Sequence, residues 1–146
     1  MDIREATCHD LSPLLKLYTY LHENNMPTID DEIQKLWNTM MTDMHHHIIV
    51  GSESGTIICS CVLIIVPNLT HNQRPYAFIE NMITHPEYRN RGYGTQILNY
   101  AKGIAVDCKC YKIMLMTGSK KSTTLNFYKR AGYNTDDKTA FIQWLE

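Results

Sequence analysis

What this chain has little of narrows its function early. No apolar run approaches the ~20 residues that a bilayer-spanning helix needs, and the opening stretch from Met1 to Asp10 lacks the plan of a secretory signal. There is no basic excess: 14 basic against 15 acidic residues leave a net charge of −1. Without a basic stripe, a nucleic-acid surface is not expected. Internal repeats, low-complexity linkers and composition breaks are missing too, so a single domain is expected over residues 1–146. Cysteines are few and odd in number: Cys8, Cys59, Cys61, Cys108 and Cys110. An odd count without a signal implies reduced thiols and a cytoplasmic protein. The two Cys-x-Cys pairs lack the spacing of a zinc knuckle, and the run His45-His46-His47 has no acidic or thiol partner close in sequence. No metal is expected, and the histidines read as a solvated strand entrance.

What is present is ordinary globular material, 44% hydrophobic and 20% charged. A strand is expected over Met1 to Ala6. Asp10 would then cap a helix with the stripe Leu11, Leu14, Leu15, Tyr18 and Leu21, Pro13 sitting harmlessly in its first turn. Asn24-Asn25 and Pro27 break the chain. Thr28, with Asp31 in the first turn, would cap a second helix striped by Ile29, Ile33, Leu36, Trp37 and Met40. Ile48 to Gly51 and Thr56 to Val66 flank a turn and predict a hairpin. Further strands are expected at Tyr76 to Thr84, at Tyr111 to Met116 (apolar enough to be buried on both faces) and at Thr139 to Leu145. Helices are expected from about Thr95 to Val106 and from Ser122 to Arg130, the second closed by Gly132. The order βααβββαβαβ predicts an α/β (α+β) fold with a mixed, mostly antiparallel sheet and helices on both faces.

One segment carries chemistry. The strand ending Glu80-Asn81-Met82-Ile83-Thr84 runs through Pro86 into the loop Arg89-Asn90-Arg91-Gly92-Tyr93-Gly94, which opens straight into a helix at Thr95. Two glycines let a backbone turn its N–H groups inward and allow close approach of a ligand. Together with the positive end of a helix they make a site for an anion such as a pyrophosphate, with Arg89 and Arg91 at its rim. This is neither a P-loop nor a dinucleotide fingerprint.

Arg89-x-x-Gly92-x-Gly94 resembles the coenzyme A loop of the GNAT superfamily of N-acetyltransferases, (Q/R)-x-x-G-x-(G/A). The block Asn126-Phe127-Tyr128-Lys129-Arg130-Ala131-Gly132-Tyr133 is similar to that family's last helix, and the element order agrees. The resemblance implies transfer of an acetyl group from acetyl-coenzyme A, as co-substrate, to a primary amine by direct attack in a ternary complex. None of the five cysteines is then needed as a nucleophile. Met82, Ile83 and Thr84 would pair their backbone with the pantetheine arm, an N–H of Met82 or Ile83 serving as oxyanion donor. Arg89, Asn90, Arg91, Gly92, Tyr93, Gly94 and Thr95 would hold the pyrophosphate, and Asn126 and Tyr128 would meet the pantetheine and the sulfur. An ammonium has no free lone pair, so a base must take its proton; Glu80 is the candidate. On a regular strand Glu80 shares a face with Phe78, Met82 and Thr84, a setting that would raise its pKa. Tyr128 would protonate the departing thiolate.

Cys110-Tyr111-Lys112-Ile113, Phe127-Tyr128-Lys129 and Ile79-Glu80 are similar to glucosamine-phosphate N-acetyltransferases, which usually have an acidic residue where this chain has Asn81. The acceptor region expected in this fold, Tyr18 to Ile29, has no arginine to clamp a phosphate. A small-molecule amine or amino sugar, a protein N-terminus or a lysine therefore all stay open, as do a non-catalytic coenzyme A sensor and a homodimer.

Overall fold

The computed structural model describes residues 1–22 and 25–145. The chain runs β1 (Asp2–Glu5), α1 (Leu11–His22), α2 (Asp31–Thr42), β2 (His46–Glu53), β3 (Thr56–Val66), β4 (Tyr76–Thr84), α3 (Tyr93–Asp107), β5 (Ile113–Leu115) and α4 (Ser122–Arg130). The sheet order is β1-β2-β3-β4-β5. Every pairing is antiparallel except β4 with β5. This is the α/β fold with a mostly antiparallel mixed sheet that the patterning predicts.

The sheet divides the core in two. Ile97, Leu98, Ala101 and Ala105 of α3 pack on one face against Ile49, Ile58 and other buried strand residues. Leu14 and Leu17 of α1 and Trp37 of α2 pack on the other, against Ile48, Val50, Val62 and Ile83. The β2–β3 hairpin closes at Ser54-Gly55, both with positive φ (51° and 79°), the geometry whose twist suits a two-residue hairpin.

The helix starts differ from expectation in informative ways. Thr7, not Asp10, caps the first helical segment, a 3-10 turn at Cys8–Asp10 that leads into α1, and Asp10, the third residue of that turn, closes a capping box with Thr7. The Asp10 carboxylate accepts from the Thr7 N–H (2.6 Å) and hydroxyl (2.9 Å) and from both Arg4 terminal nitrogens (2.7 and 2.9 Å). Asp30, not Thr28, caps α2, accepting from the Ile33 N–H at 2.9 Å. That start leaves Ile29 outside the helix, and Leu36 faces solvent. Lys121 precedes α4 without a side-chain cap, so Ser122 is its first helical residue. The C-terminal end of α4 is as expected: Gly132 at φ 94° lets its N–H reach Lys129 and that of Tyr133 reach Tyr128.

Two strand expectations fail. β5 is three residues long, half-buried, and has β4 on one side only. Ile113 and Leu115 meet the α3-side core, but Met114 on the other face is only half-buried and Met116 is exposed, so the apolar run Tyr111 to Met116 is not buried on both sides. Thr139 to Leu145 forms no strand and pairs with none of the five strands among the described residues. Of the cysteines, Cys59 and Cys61 are buried in β3, whereas Cys108 and Cys110 lie in the turn after α3, not on a strand.

Candidate functional site

The site is built around an irregularity in β4. Ser60 of β3 faces Ile83, but Val62 faces Glu80. Three steps on β4 therefore match two on β3, which makes a β-bulge with one extra residue. Asn81 supplies it at φ 51°, and Asn is among the few residues that tolerate this left-handed conformation. The bulge switches the faces. Ile79 and Met82 both meet the α3-side core, while Ile83 joins the α1/α2 side. Thr84 reaches Cys59 of the α3-side core, hydroxyl to Sγ at 3.1 Å. Glu80 therefore does not share a face with Met82 and Thr84, as a regular strand would require. It is exposed, and its same-side neighbours on β4 are Tyr76, Phe78 and, past the bulge, Ile83.

Pairing between β4 and β5 covers Ala77, Phe78 and Ile79 against Ile113, Met114 and Leu115, and stops there. Beyond the bulge, Ile83 and Thr84 still pair with β3. Among the described residues the opposite edge of Met82–Thr84 has no strand partner. An extended ligand fits that edge as an added strand would.

The loop after β4 prepares the anion site. Gly92 precedes α3 with φ 79°, and no atom would meet a Cβ there, so its role is conformational. Gly94 does something else: a Cβ would lie 3.0 Å from Phe127 Cζ and 3.2 Å from Met82 Cε. A larger residue there would make the Phe127 ring and the Met82 tail give way by a few tenths of an ångström, so glycine suits the close approach of α3 to β4 and α4. Arg89 Nε donates to the Thr84 carbonyl at 3.1 Å, and the Arg91 guanidinium lies over the Tyr88 ring, 5.2 Å from its centroid. Tyr93 donates to Glu53 Oε1 at 2.8 Å, which ties the loop to β2. Asn90 and Thr95 are exposed beside them.

From the other side α4 brings Tyr128 against the core, with Phe127 (4.9 Å) and Tyr133 (6.3 Å) as ring neighbours. Burial pushes the Tyr128 hydroxyl above its ordinary pKa, and the charges of Cys61 and Glu80 add to the shift. Asn126 is exposed on the same helix. Burial likewise pushes the thiols of Cys59 and Cys61 up to about 11 and about 12.

The expected acceptor stretch falls partly outside the described residues, which omit Glu23, Asn24 and the His22 side chain. What is described places the end of α1 beside the site: Tyr20 meets His85 edge-on at 4.6 Å, and His85 meets Tyr88 at 5.5 Å. Tyr18, which belongs to the α1 stripe and opens the expected acceptor stretch, has a hydroxyl pushed up to about 12 by burial, an effect partly offset by the polar side chains of Ser60 and Asn81. Among the described residues no three His, Cys, Asp or Glu side chains gather as a metal ion would need, and no helix is long and apolar enough to cross a membrane.

A mixed sheet opened at a bulge, with a glycine loop leading into a helix beside the opening, defines an acetyltransferase class. The family model described as "Acetyltransferase (GNAT) family" matches residues 11–133, and the chain belongs to that family. A putative acetyltransferase of Agrobacterium tumefaciens is 35% identical with a TM-score of 0.92, over 99% of both chains. A glucosamine 6-phosphate N-acetyltransferase of Trypanosoma brucei brucei is 29% identical over 58% of this chain and 56% of its own length. The chain thus aligns with little more than half of that curated relative. The solved glucosamine-6-phosphate N-acetyltransferase of Arabidopsis thaliana shares the fold, with a TM-score of 0.85 at 17% identity over 99% of this chain and 98% of its own.

Proposed function

We propose that residues 1–146 act as one N-acetyltransferase domain that moves an acetyl group from acetyl-coenzyme A to a small primary amine, by direct attack in a ternary complex. The observation that carries this reading is the unpaired edge of Met82–Thr84 beside a left-handed Gly92 at the start of α3. The edge takes the amide-bearing pantetheine arm, and the loop Arg89–Thr95 takes the pyrophosphate on its N–H groups and arginines. Bound acetyl-coenzyme A supplies an activated thioester. An N–H of Met82 or Ile83 at the bulge stabilises the oxyanion that develops as the amine attacks. Glu80, exposed at the same bulge, receives the proton of the ammonium directly or through water. Tyr128, a phenol whose ordinary pKa already leaves it protonated at neutral pH and which burial pushes further up, gives its proton to the leaving thiolate, and Asn126 hydrogen-bonds the pantetheine. The high pKa values of the Cys59 and Cys61 thiols agree with attack by the amine itself rather than by a cysteine.

For the acceptor, an amino sugar or similar small amine is favoured by the likeness to glucosamine 6-phosphate N-acetyltransferases. Asn81 stands where those enzymes usually have an acid, so the sugar is not fixed. Free thiol release from acetyl-coenzyme A, followed over a panel of amino sugars, small amines and peptides, tests the reading. Release that depends on a small primary amine is expected. Tight binding of acetyl-coenzyme A without release by any amine would make the chain a sensor, and release by peptides alone would make it a protein acetyltransferase.

A further inference from the structure

Where β4 ends, one side chain touches both layers of the molecule. The His85 N–H donates to the Ile58 carbonyl at 2.8 Å, which carries the β3–β4 pairing one residue past Thr84 and fixes the backbone there. The His85 ring stands edge-on to Tyr20 of α1, with 4.6 Å between centroids, and edge-on to Tyr88 at 5.5 Å. Tyr88 packs against the α3-side core, whereas Tyr20, near the end of α1, is 44% exposed. The Arg91 guanidinium over the Tyr88 ring continues this row into the glycine loop.

The same ring is also a cap. Pro86–Tyr88 is a 3-10 turn that opens with proline, and His85 Nδ1 accepts from the Glu87 N–H at 3.3 Å. The turn closes through the Tyr88 N–H to the His85 carbonyl (2.9 Å) and the Arg89 N–H to the Pro86 carbonyl (3.3 Å). Arg89 Nε bonds back to the Thr84 carbonyl, so the loop leading to Gly92 starts from a fully bonded turn. Because Nδ1 accepts, the neutral ring carries its hydrogen on Nε2. Asparagine would accept in the same place but has no ring, and phenylalanine has the ring but accepts nothing. Histidine does both.

We propose that His85 is a positioning residue for both substrates: its cap presets the loop that takes the pyrophosphate, and its ring holds Tyr20 as a wall where the amine enters. This rests on the acetyltransferase reading given above. A loop already in its bound shape loses less free energy to ordering when the ligand arrives, so the cap is felt as cofactor affinity. Tyr20 is part exposed, so a ring pinned by His85 still offers apolar surface to an incoming acceptor. His85 acts through Tyr20 and the turn, not on the reacting atoms.

Two substitutions separate the roles. His85→Asn keeps the cap and removes the ring; His85→Phe keeps the ring and removes the cap. In the full chain without ligand, amide exchange at Glu87–Arg89 should quicken in His85→Phe and stay close to that of the parent protein in His85→Asn. Isotope-edited spectra of the tyrosine rings should show the reverse, Tyr20 resonances moving in His85→Asn and holding their place in His85→Phe. Calorimetric titration with acetyl-coenzyme A should give about tenfold weaker binding for His85→Phe and less than about a twofold change for His85→Asn. Circular dichroism checks that both variants fold; should His85→Phe not fold, His85→Leu reads the cap in its place. Unchanged acetyl-coenzyme A affinity without the cap, or Tyr20 resonances indifferent to His85→Asn, would overturn the proposal. No binding by the parent chain would instead remove the acetyltransferase reading and this proposal with it, an outcome that the two ligand-free readouts distinguish from a failure of His85 alone.

Discussion

Glu80 does its proposed work through position. It lies on the first residue past the β4–β5 pairing and directly before the bulge residue Asn81, exposed enough for water to relay a proton. Glu80→Gln keeps size and hydrogen bonding and removes only basicity, so turnover should fall by about 100-fold at neutral pH. Part of that loss should return as pH rises, because more of the amine then arrives already neutral. Rate profiles from about pH 6 to 10 for both proteins check this; parallel profiles of similar height would remove Glu80 from the proton path. The sequence identifies Glu80 as a candidate but misplaces its neighbours. An extra residue in a strand leaves no break in an apolar pattern, so Met82 and Thr84 read as its same-face companions. The one available sign is Asn81 itself, a residue suited to positive φ in the middle of a strand. Gly94 shows a similar gap: its spacing from Gly92 is legible, but its contact with Phe127 and Met82 joins three elements distant in sequence.

At the scale of elements, the start of α1 is a charge-dependent joint. Asp10 holds β1 to the helix through Arg4 and caps its own first turn through Thr7. The Arg4 guanidinium, followed by the Thr7 donors, brings its pKa down to about 2 from an ordinary 3.8, against the opposing effect of burial. A depressed folded-state pKa adds stability that is complete above the unfolded value and is lost as pH falls through the folded one. Urea midpoints should therefore drop between about pH 4 and about pH 2. In Asp10→Asn the midpoint at neutral pH should already be lower, and this part of the acid slope should vanish. Helix periodicity places α1, α2, α3 and α4 in the sequence to within a few residues. The caps are where it errs, since Thr7, Asp10, Thr28 and Asp30 are all plausible cap residues and only the tertiary partner, Arg4 for one of them, selects among them. For Thr139–Leu145 the apolar, strand-like run is legible and the pairing is not. A strand pattern says which faces are apolar, never which edge will receive them.

For the whole molecule, the account rests on one division of labour. The β1–β4 layer is packed between two buried cores, and the region where β4 leaves β5 is open, bounded by α3, α4 and the end of α1. Sequence motifs mark the two ends of that opening, the Arg89–Gly94 loop and the Asn126–Tyr133 block, while the opening itself follows from the bulge between them. Amide hydrogen exchange on the full chain, with and without acetyl-coenzyme A, tests this most directly. Added acetyl-coenzyme A should slow exchange at Met82–Thr84 and at the amides from Gly92 to Gln96, and Gly92→Val, strained at φ 79°, should need a much higher concentration to do so. Protection confined to other elements, or unchanged exchange at Met82–Thr84 under saturating acetyl-coenzyme A, would contradict the account.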